Sequence, residues 1–343
     1  MTGLPAEIEV IGCHAEGEVG DVIVAGVAPP PGATLWEQSR FVHRDGVLRR
    51  TVLNEPRGGV FRHVNLLVPP VHPDAAVGFI VMEPAHTPPM SGSNSICVAT
   101  VVAETGLVPT VEGDNRIVME APGGLVQATV TMEGGKATRV RMRNVPSFAG
   151  DRGVVLEVPG LGPITADTAY GGDTFVVVDP APLGLTLEPS SARALAEAGT
   201  AITAAANRQW VFDHPALPDW RHFSFCLFAS PIRRTDEGLT AVHAVSIEPG
   251  KIDRSPTGTA VSARLALLTA DGTLTPGEPY VATSLIGSRF VGRVVDTADV
   301  GGKPAVVPEI EGRAWRTGRT VWSVDPTDPW PEGYRLNDTW PSG

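Results

Sequence analysis

The sequence predicts a mixed α/β (α+β) protein made of two similar halves, and three observations support this. Residues 90–100 (Met-Ser-Gly-Ser-Asn-Ser-Ile-Cys-Val-Ala-Thr) and 253–263 (Asp-Arg-Ser-Pro-Thr-Gly-Thr-Ala-Val-Ser-Ala) share a hydroxyl–glycine–hydroxyl group followed by an apolar run with helical spacing. The 38 glycines and 32 prolines are spread along the chain, which favours many short strands and turns. A chain of 343 residues is long for a single core, so two domains are expected.

The first half contains short apolar runs that predict strands, followed by one strong helix signal. An alternating pattern on both sides of Gly134 and Gly135 predicts a hairpin over 125–142. The apolar spacing after the first motif predicts a helix over 94–104. The remaining predicted strands are 7–12, 22–26, 64–70, 77–82 and 116–120.

The second half begins again with strands after a boundary near 145–153, where turn residues accumulate. Strands are predicted at 153–158, 174–179, 223–228 and 241–247, and helices at 190–198, 201–207 and 259–269. The proline- and tryptophan-rich tail predicts an extended segment that returns to the first domain. The predicted domains are therefore 1–148 with 325–343, and 149–324.

Composition excludes several classes of function. A net charge of −11 argues against nucleic-acid backbones and anionic membranes as partners. Three widely spaced cysteines form neither a metal-binding spacing nor a disulfide framework, which is typical of a reducing compartment. We expect neither a secretory signal nor a membrane-spanning segment, and the sequence contains no nucleotide fingerprint. We expect a cytoplasmic protein with no cofactor, no metal and a small-molecule substrate.

The two repeated motifs contain the residues with the clearest chemical potential. Ser255 suits an N-cap and Pro256 the first helical turn, so the backbone N–H groups that follow would be exposed at the positive end of a helix. Two such helix starts facing one cavity would bind a carboxylate and stabilise an enolate-like charge beside it. One motif alone would be ordinary helix capping. The residues that we expect at these two starts are Ser91, Gly92, Ser93, Thr257, Gly258 and Thr259.

The chain resembles the proline racemase family, which includes proline racemases, 4-hydroxyproline epimerases and trans-3-hydroxy-L-proline dehydratases. The segment Asp-Arg-Ser-Pro-Thr-Gly-Thr at 253–259 carries the most specific part of this resemblance. Further matching segments lie at 54–59, 170–173, 284–290, 307–318 and 325–330. The resemblance implies a diaminopimelate-epimerase-like fold, in which two pseudo-symmetric domains each wrap a sheet around a central helix. It also implies an active site in the cleft between the domains, and a homodimer is common in such families.

Racemases of the family carry a catalytic cysteine at each repeated position, whereas this chain has Ser91 and Thr257. Threonine at the second position marks the dehydratase branch, because elimination needs one competent base and a threonine hydroxyl returns a proton poorly. Ser91 is then the candidate base. The resemblance further assigns Asp253 to the ring nitrogen of the substrate and His222 to the ring or its hydroxyl.

The leading prediction is cofactor-independent dehydration of trans-3-hydroxy-L-proline to Δ1-pyrroline-2-carboxylate. A second prediction is a 4-hydroxyproline epimerase or proline racemase that uses both hydroxyls as proton carriers. A third is a binding protein that retains the pocket without catalysis, since neither thiol is present.

Overall fold

A computed structural model of the chain describes residues 5–217 and 220–341. The strands within these ranges are β1 (Glu7–Ala15), β2 (Glu18–Ala25), β3 (Arg62–Val68), β4 (Val77–Met82), β5 (Gly113–Ala121), β6 (Gly124–Glu133), β7 (Lys136–Arg143), β8 (Phe148–Ala149), β9 (Val154–Val158), β10 (Gly162–Tyr170), β11 (Thr174–Val178), β12 (Phe225–Ala229), β13 (Arg233–Thr235), β14 (Gly238–Ile247), β15 (Lys251–Ile252), β16 (Tyr280–Thr283), β17 (Arg289–Val300), β18 (Lys303–Gly312) and β19 (Ala314–Ser323). The α-helices are α1 (Leu35–Asp45), α2 (Val47–Leu53), α3 (Gly92–Glu104), α4 (Ala192–Gln209) and α5 (Gly258–Ala270).

The chain divides into two compact units. The first contains the residues up to Met142 and those from Gly312 onward, and the second is Arg143–Glu311. The sequence places these divisions at 148/149 and 324/325. The return to the first unit comes earlier than predicted because β19 pairs antiparallel with β1, from Glu7 opposite Ser323 to Ala15 opposite Ala314.

The two units repeat one order of strand pairings. In the first, β19, β1, β2, β3, β4, β5 and β6 pair in turn as antiparallel, antiparallel, parallel, antiparallel, parallel and antiparallel. In the second, β9, β10, β11, β12, β14, β16 and β17 pair in the same order. The helices α3 and α5 hold equivalent places, each before the strand that makes the second parallel pairing. The predicted pair of similar halves is confirmed.

Each unit encloses one helix almost completely. In α3 every residue from Gly92 to Ala103 is buried, and the helix packs against β1, β2, β3, β6 and β19. In α5 only Arg264, Thr269 and Ala270 are not buried, and the helix packs against β8, β10, β11 and β17. Small and apolar side chains on all sides make such helices suited to the interior. The predicted central helices are therefore present.

Some elements differ from the sequence predictions. The two helices predicted at 190–198 and 201–207 form the single helix α4. Gly199 lies inside this helix, at a position where Ser246 occupies the space that a side chain would need. Neither α1 nor α2 is predicted from the sequence, although Thr34 and Glu37 form a capping box at the start of α1.

The tail beyond β19 packs within the first unit. Glu332 forms a 2.6 Å ion pair with Arg50, and the buried Trp340 donates from Nε1 to Glu55 Oε1 at 3.1 Å. The last two residues of the predicted tail, 342–343, lie outside the described residues. Over 5–217 and 220–341, no helix is long and apolar enough to cross a membrane.

Candidate active site

Ser91 stands at the start of α3, in the first unit. It is the N-cap residue, with ordinary extended backbone angles (φ −142°, ψ 127°), and only 9% of its surface is exposed. Asn94, in the first turn of the same helix, donates a 2.9 Å hydrogen bond from Nδ2 to Ser91 Oγ. Because the Ser91 oxygen is the acceptor in this bond, its hydroxyl proton can be directed at another partner.

Asn94 is oriented by a buried polar network on β3. Asn65 donates from Nδ2 to Asn94 Oδ1 at 2.8 Å, which fixes the amide so that its nitrogen faces the motif serine. The same nitrogen lies 3.3 Å from His63 Nδ1. His63 lies between two carboxylates, 3.5 Å from Glu18 and 3.8 Å from Glu83. Residues that are distant in sequence therefore determine that the Ser91 hydroxyl oxygen accepts a hydrogen bond from Asn94.

Thr257 stands at the equivalent start of α5, in the second unit, but its geometry differs. Its backbone has φ +62° and ψ 104°, a region that a β-branched residue rarely adopts and that typically costs about 1–3 kcal/mol. Thr257 Oγ1 donates a 2.6 Å hydrogen bond to Asp253 Oδ2. Here the hydroxyl proton is already engaged, so the lone pairs of the threonine oxygen are directed elsewhere.

The predicted cap at Ser255 is wrong, because α5 begins two residues later with Thr257 as its N-cap. Ser255 instead belongs to a tight turn around Asp253. Asp253 Oδ1 accepts from the Ser255 backbone N–H (2.8 Å) and hydroxyl (2.9 Å), and Ser255 Oγ accepts from the Thr257 N–H (3.1 Å). The competing side-chain bonds to Asp253 delay the start of the helix.

A buried histidine supports this turn from behind. His243 Nδ1 lies 3.1 Å from the Pro256 carbonyl oxygen, so Nδ1 carries the proton, and Nε2 accepts from the Tyr280 hydroxyl at 2.6 Å. Burial, assisted by the Arg264 guanidinium, lowers the pKa of His243 to about 3. A neutral imidazole therefore holds the residue that precedes Thr257.

The other residues predicted at the helix starts are buried in the first turns of α3 and α5. The position of Thr259 explains why glycine stands in the Tyr-Gly-Gly-Asp segment at 170–173, one of the segments that resemble the family. A side chain at Gly171 would overlap the Thr259 carbonyl oxygen, so the Tyr-Gly-Gly-Asp segment needs glycine there. The helix-start residues that are buried in this way are Gly92, Ser93, Gly258 and Thr259.

His222 lies on the segment that enters β12 and is half-buried. Its carbonyl oxygen accepts from Thr174 Oγ1 at 2.7 Å, and its ring lies 4.3 Å from that of Trp220. A role of His222 toward a substrate stays a prediction.

The cysteines are removed from the helix starts and from solvent. Cys13, Cys97 and Cys226 are all buried as free thiols. Burial raises the pKa of both Cys97 and Cys226. These environments disfavour the reactive thiolate. Within residues 5–217 and 220–341 no cluster of His, Cys, Asp and Glu is arranged to hold a metal ion.

Each helix start combines a hydroxyl with the backbone N–H groups of a first helical turn, which have no carbonyl partner within the helix. Such N–H groups lie at the positive end of the helix and attract a carboxylate. The chemistry available to each half is therefore anion binding next to a hydroxyl whose hydrogen bonding is fixed. Sequence reasoning missed Asn94, although it follows Ser91 by three positions, which places both on one helix face. Nothing local in the sequence indicates His63 or Asn65.

Comparisons with known proteins show which family and which solved structures this chain resembles. A family model described as "Proline racemase" matches residues 10–335. A hydroxyproline epimerase from Agrobacterium vitis, solved with bound trans-4-hydroxy-L-proline, is 34% identical with a TM-score of 0.93, covering 98% of this chain and 96% of that one. A probable proline racemase from Agrobacterium radiobacter K84, solved with bound carbonate, is 37% identical with a TM-score of 0.93, covering 97% and 98%.

A more distant structure extends the likeness in fold alone. A PhzF-family phenazine biosynthesis protein from Bacillus anthracis is 12% identical with a TM-score of 0.56, covering 92% of this chain and 99% of that one. The predicted epimerase-like fold and the predicted family resemblance are both confirmed.

Proposed function

Because the chain belongs to the proline racemase family, we propose that it abstracts the α-proton of a proline-type amino acid and dehydrates trans-3-hydroxy-L-proline to Δ1-pyrroline-2-carboxylate. The observation that carries this proposal is the pair of residues at the helix starts. Both are alcohols, Ser91 and Thr257, and only the threonine donates its proton to a carboxylate, that of Asp253.

The reaction needs a carboxylate site and a base. The N–H groups at a helix start suit the substrate carboxylate and stabilise the charge that develops there as the α-proton leaves. The C2 electron pair then forms a double bond to C3 and expels the 3-hydroxyl, which departs as water after it gains a proton. The resulting enamine tautomerises to the cyclic imine. That both helix starts serve one substrate is part of the proposal, and the internal repeat supports it.

Epimerisation is the second candidate. It requires a proton donor on the face opposite the base, and Ser91 Oγ accepts from Asn94 and so has a proton to give. The relative from Agrobacterium vitis, whose structure contains trans-4-hydroxy-L-proline, supports a hydroxyproline as the substrate class. A homodimer and a cytoplasmic location stay predictions.

Proton NMR in D2O separates these candidates. The purified protein is incubated first with trans-3-hydroxy-L-proline and then with trans-4-hydroxy-L-proline. We expect loss of the 3-hydroxy compound and growth of pyrroline-carboxylate signals. Deuterium at the α-carbon of the 4-hydroxy compound, with its cis epimer appearing and no reaction of the 3-hydroxy compound, would assign the epimerase instead. Tight binding without either reaction would contradict both and identify a binding protein.

A further inference from the structure

The second unit alone supports a further role for its helix start, which rests on the proposed function. The Asp253 carboxylate is 3% exposed and receives three hydrogen bonds from the turn that follows it. Two of them, both from Ser255, go to Oδ1. The third and shortest, 2.6 Å, comes from Thr257 and goes to Oδ2. One carboxylate oxygen therefore maintains the turn while the other faces a hydroxyl at a helix start.

We propose that Thr257 and Asp253 form a proton-relay dyad, with Thr257 as the base at the α-carbon and Asp253 as the acceptor of the threonine proton. An alcohol is a weak base at neutral pH and becomes reactive only when an adjacent base takes its proton. The short bond to Oδ2 supplies that base, and this assigns Asp253 a role in proton transfer in addition to any contact with the substrate nitrogen.

The proton steps balance within the dyad. As the C2–H bond breaks, its electron pair stays on the substrate and the proton passes to Thr257 Oγ1. The original hydroxyl proton of Thr257 moves to Asp253 Oδ2. When the C3–O bond breaks, the leaving oxygen takes a proton from Thr257 Oγ1, which recovers one from Asp253. Water leaves and the dyad returns to its starting state.

The stereochemistry of the substrate makes one dyad sufficient. In trans-3-hydroxy-L-proline the hydroxyl is trans to the carboxylate, so it lies on the same face of the ring as the α-hydrogen. A single hydroxyl on that face can reach both the proton that leaves and the oxygen that departs. Elimination then needs no proton from the opposite face, whereas epimerisation does.

The surrounding residues hold the dyad in place. The positive φ of Thr257 persists only because neighbouring bonds enforce it, which is typical of functional positions. Those bonds include that of the Thr257 N–H to Ser255 and the His243 contact with Pro256. These bonds therefore hold the Thr257 backbone in the conformation that directs Oγ1 toward Asp253.

The test is the effect of Asp253→Asn in two backgrounds. In the wild-type background we expect the rate of trans-3-hydroxy-L-proline dehydration to fall by about 1000-fold, the size of a general-base contribution. In a Thr257→Cys background we expect Asp253→Asn to cost less than about tenfold, because a thiol with a pKa near 8.5 ionises without the carboxylate. L-Proline, which has no 3-hydroxyl to lose, serves as the binding probe in calorimetry for every variant.

Two further variants separate chemistry from folding. Thr257→Ser keeps the hydroxyl and should stay within about tenfold of wild type, while the isosteric Thr257→Val should lose about 1000-fold. Thr269→Val is the matched control in the same helix, since its hydroxyl has no hydrogen-bond partner among the described residues.

An equal loss of dehydration rate on Asp253→Asn in both backgrounds would overturn the dyad, and so would an active Thr257→Val variant. Either result would leave the proposed dehydratase function standing. A wild-type protein that neither dehydrates nor exchanges α-protons would overturn the proposed function, and the dyad with it.

Discussion

The helix starts at Ser91 and Thr257 have the same sequence pattern and opposite hydrogen-bond polarity. Ser91 accepts from an amide, and its backbone is extended. Thr257 donates to a carboxylate, and its backbone has a positive φ. A repeat in sequence therefore preserves the position of a hydroxyl without preserving its role. The partner sets the direction of each hydrogen bond: Asn94 donates to the serine oxygen, which leaves the serine proton for another acceptor, whereas Asp253 accepts the hydrogen bond of the threonine hydroxyl.

The two starts also differ in where their support comes from. Asp253 lies four positions before Thr257, so the turn is local. His63 and Asn65 lie 31 and 29 positions before Asn94, and reach it only through the fold of the first unit. Behind each start lies a buried histidine, but His63 is near two carboxylates and His243 is near a guanidinium. We therefore expect the conformation at Ser91 to depend on the buried network of Asn94, Asn65 and His63. The conformation at Thr257 should depend on the turn that begins at Asp253.

The largest expected effect on stability comes from removing Asn94. Asn94→Ala takes hydrogen-bond partners from Ser91 and Asn65 in a buried region, and we expect the free energy of unfolding to fall by about 3 kcal/mol. Urea denaturation measures this loss. Thr100→Val in the same helix is the matched control, because the Thr100 hydroxyl is buried and no described residue bonds to it. Equal stability of the two variants would show that the network does not support the Ser91 start.

The histidine behind the second start predicts a pH dependence. The folded-state pKa of His243, about 3, is below its ordinary value of 6.5. Between pH 3 and pH 6.5 this histidine is therefore protonated in the unfolded chain and neutral in the folded chain. The stability that this causes is fully present above pH 6.5 and is lost as the pH falls toward 3. His243→Gln should reduce the slope of unfolding free energy against pH by up to about 1.4 kcal/mol per pH unit between pH 6 and 4.

His214 provides the internal reference for that measurement. Burial, together with the positive charge of Lys303, lowers the pKa of His214 to about 4. His214 therefore contributes a slope of unfolding free energy against pH of the same sign in the wild type and in the His243→Gln variant. An unchanged slope in the His243→Gln variant would mean that the turn before Thr257 is not held by a neutral imidazole.

The smallest effect concerns the backbone of Thr257. Both Thr257→Gly and Thr257→Val remove the hydroxyl, but only glycine adopts φ +62° without strain. We expect the glycine variant to be more stable than the valine variant by about 1 kcal/mol, and both to be inactive. Thermal unfolding of the pair checks the difference. A more stable valine variant would indicate that the backbone at this position is unstrained.

The part of the site that the sequence predicts is the part that is local. The Asp253–Thr259 segment is contiguous, and the repeat locates Ser91 and Thr257 as helix starts. The mistaken cap at Ser255 arose because the sequence does not say that Asp253 captures both the backbone and the hydroxyl of Ser255.

The residues of the site that lie far from Asn94 in the chain could not be predicted from the sequence. His63 and Asn65 reach Asn94 because β3 pairs parallel with β2 after the crossover through α1 and α2. That crossover is not among the elements predicted from the sequence, although the capping box at Thr34 and the glycine at 46 are readable signals for α1. The family resemblance supplied the fold, whereas the direction of each hydrogen bond came from side-chain geometry.

The most direct measurement compares single-turnover dehydration of trans-3-hydroxy-L-proline by Ser91→Ala and Thr257→Val. The sequence alone pointed to Ser91 as the base, whereas the hydrogen bonding favours Thr257. Our account predicts that Ser91→Ala stays within about tenfold of wild type and that Thr257→Val loses about 1000-fold. The opposite order, with Ser91→Ala inactive and Thr257→Val close to wild type, would place the base at Ser91 and contradict the account.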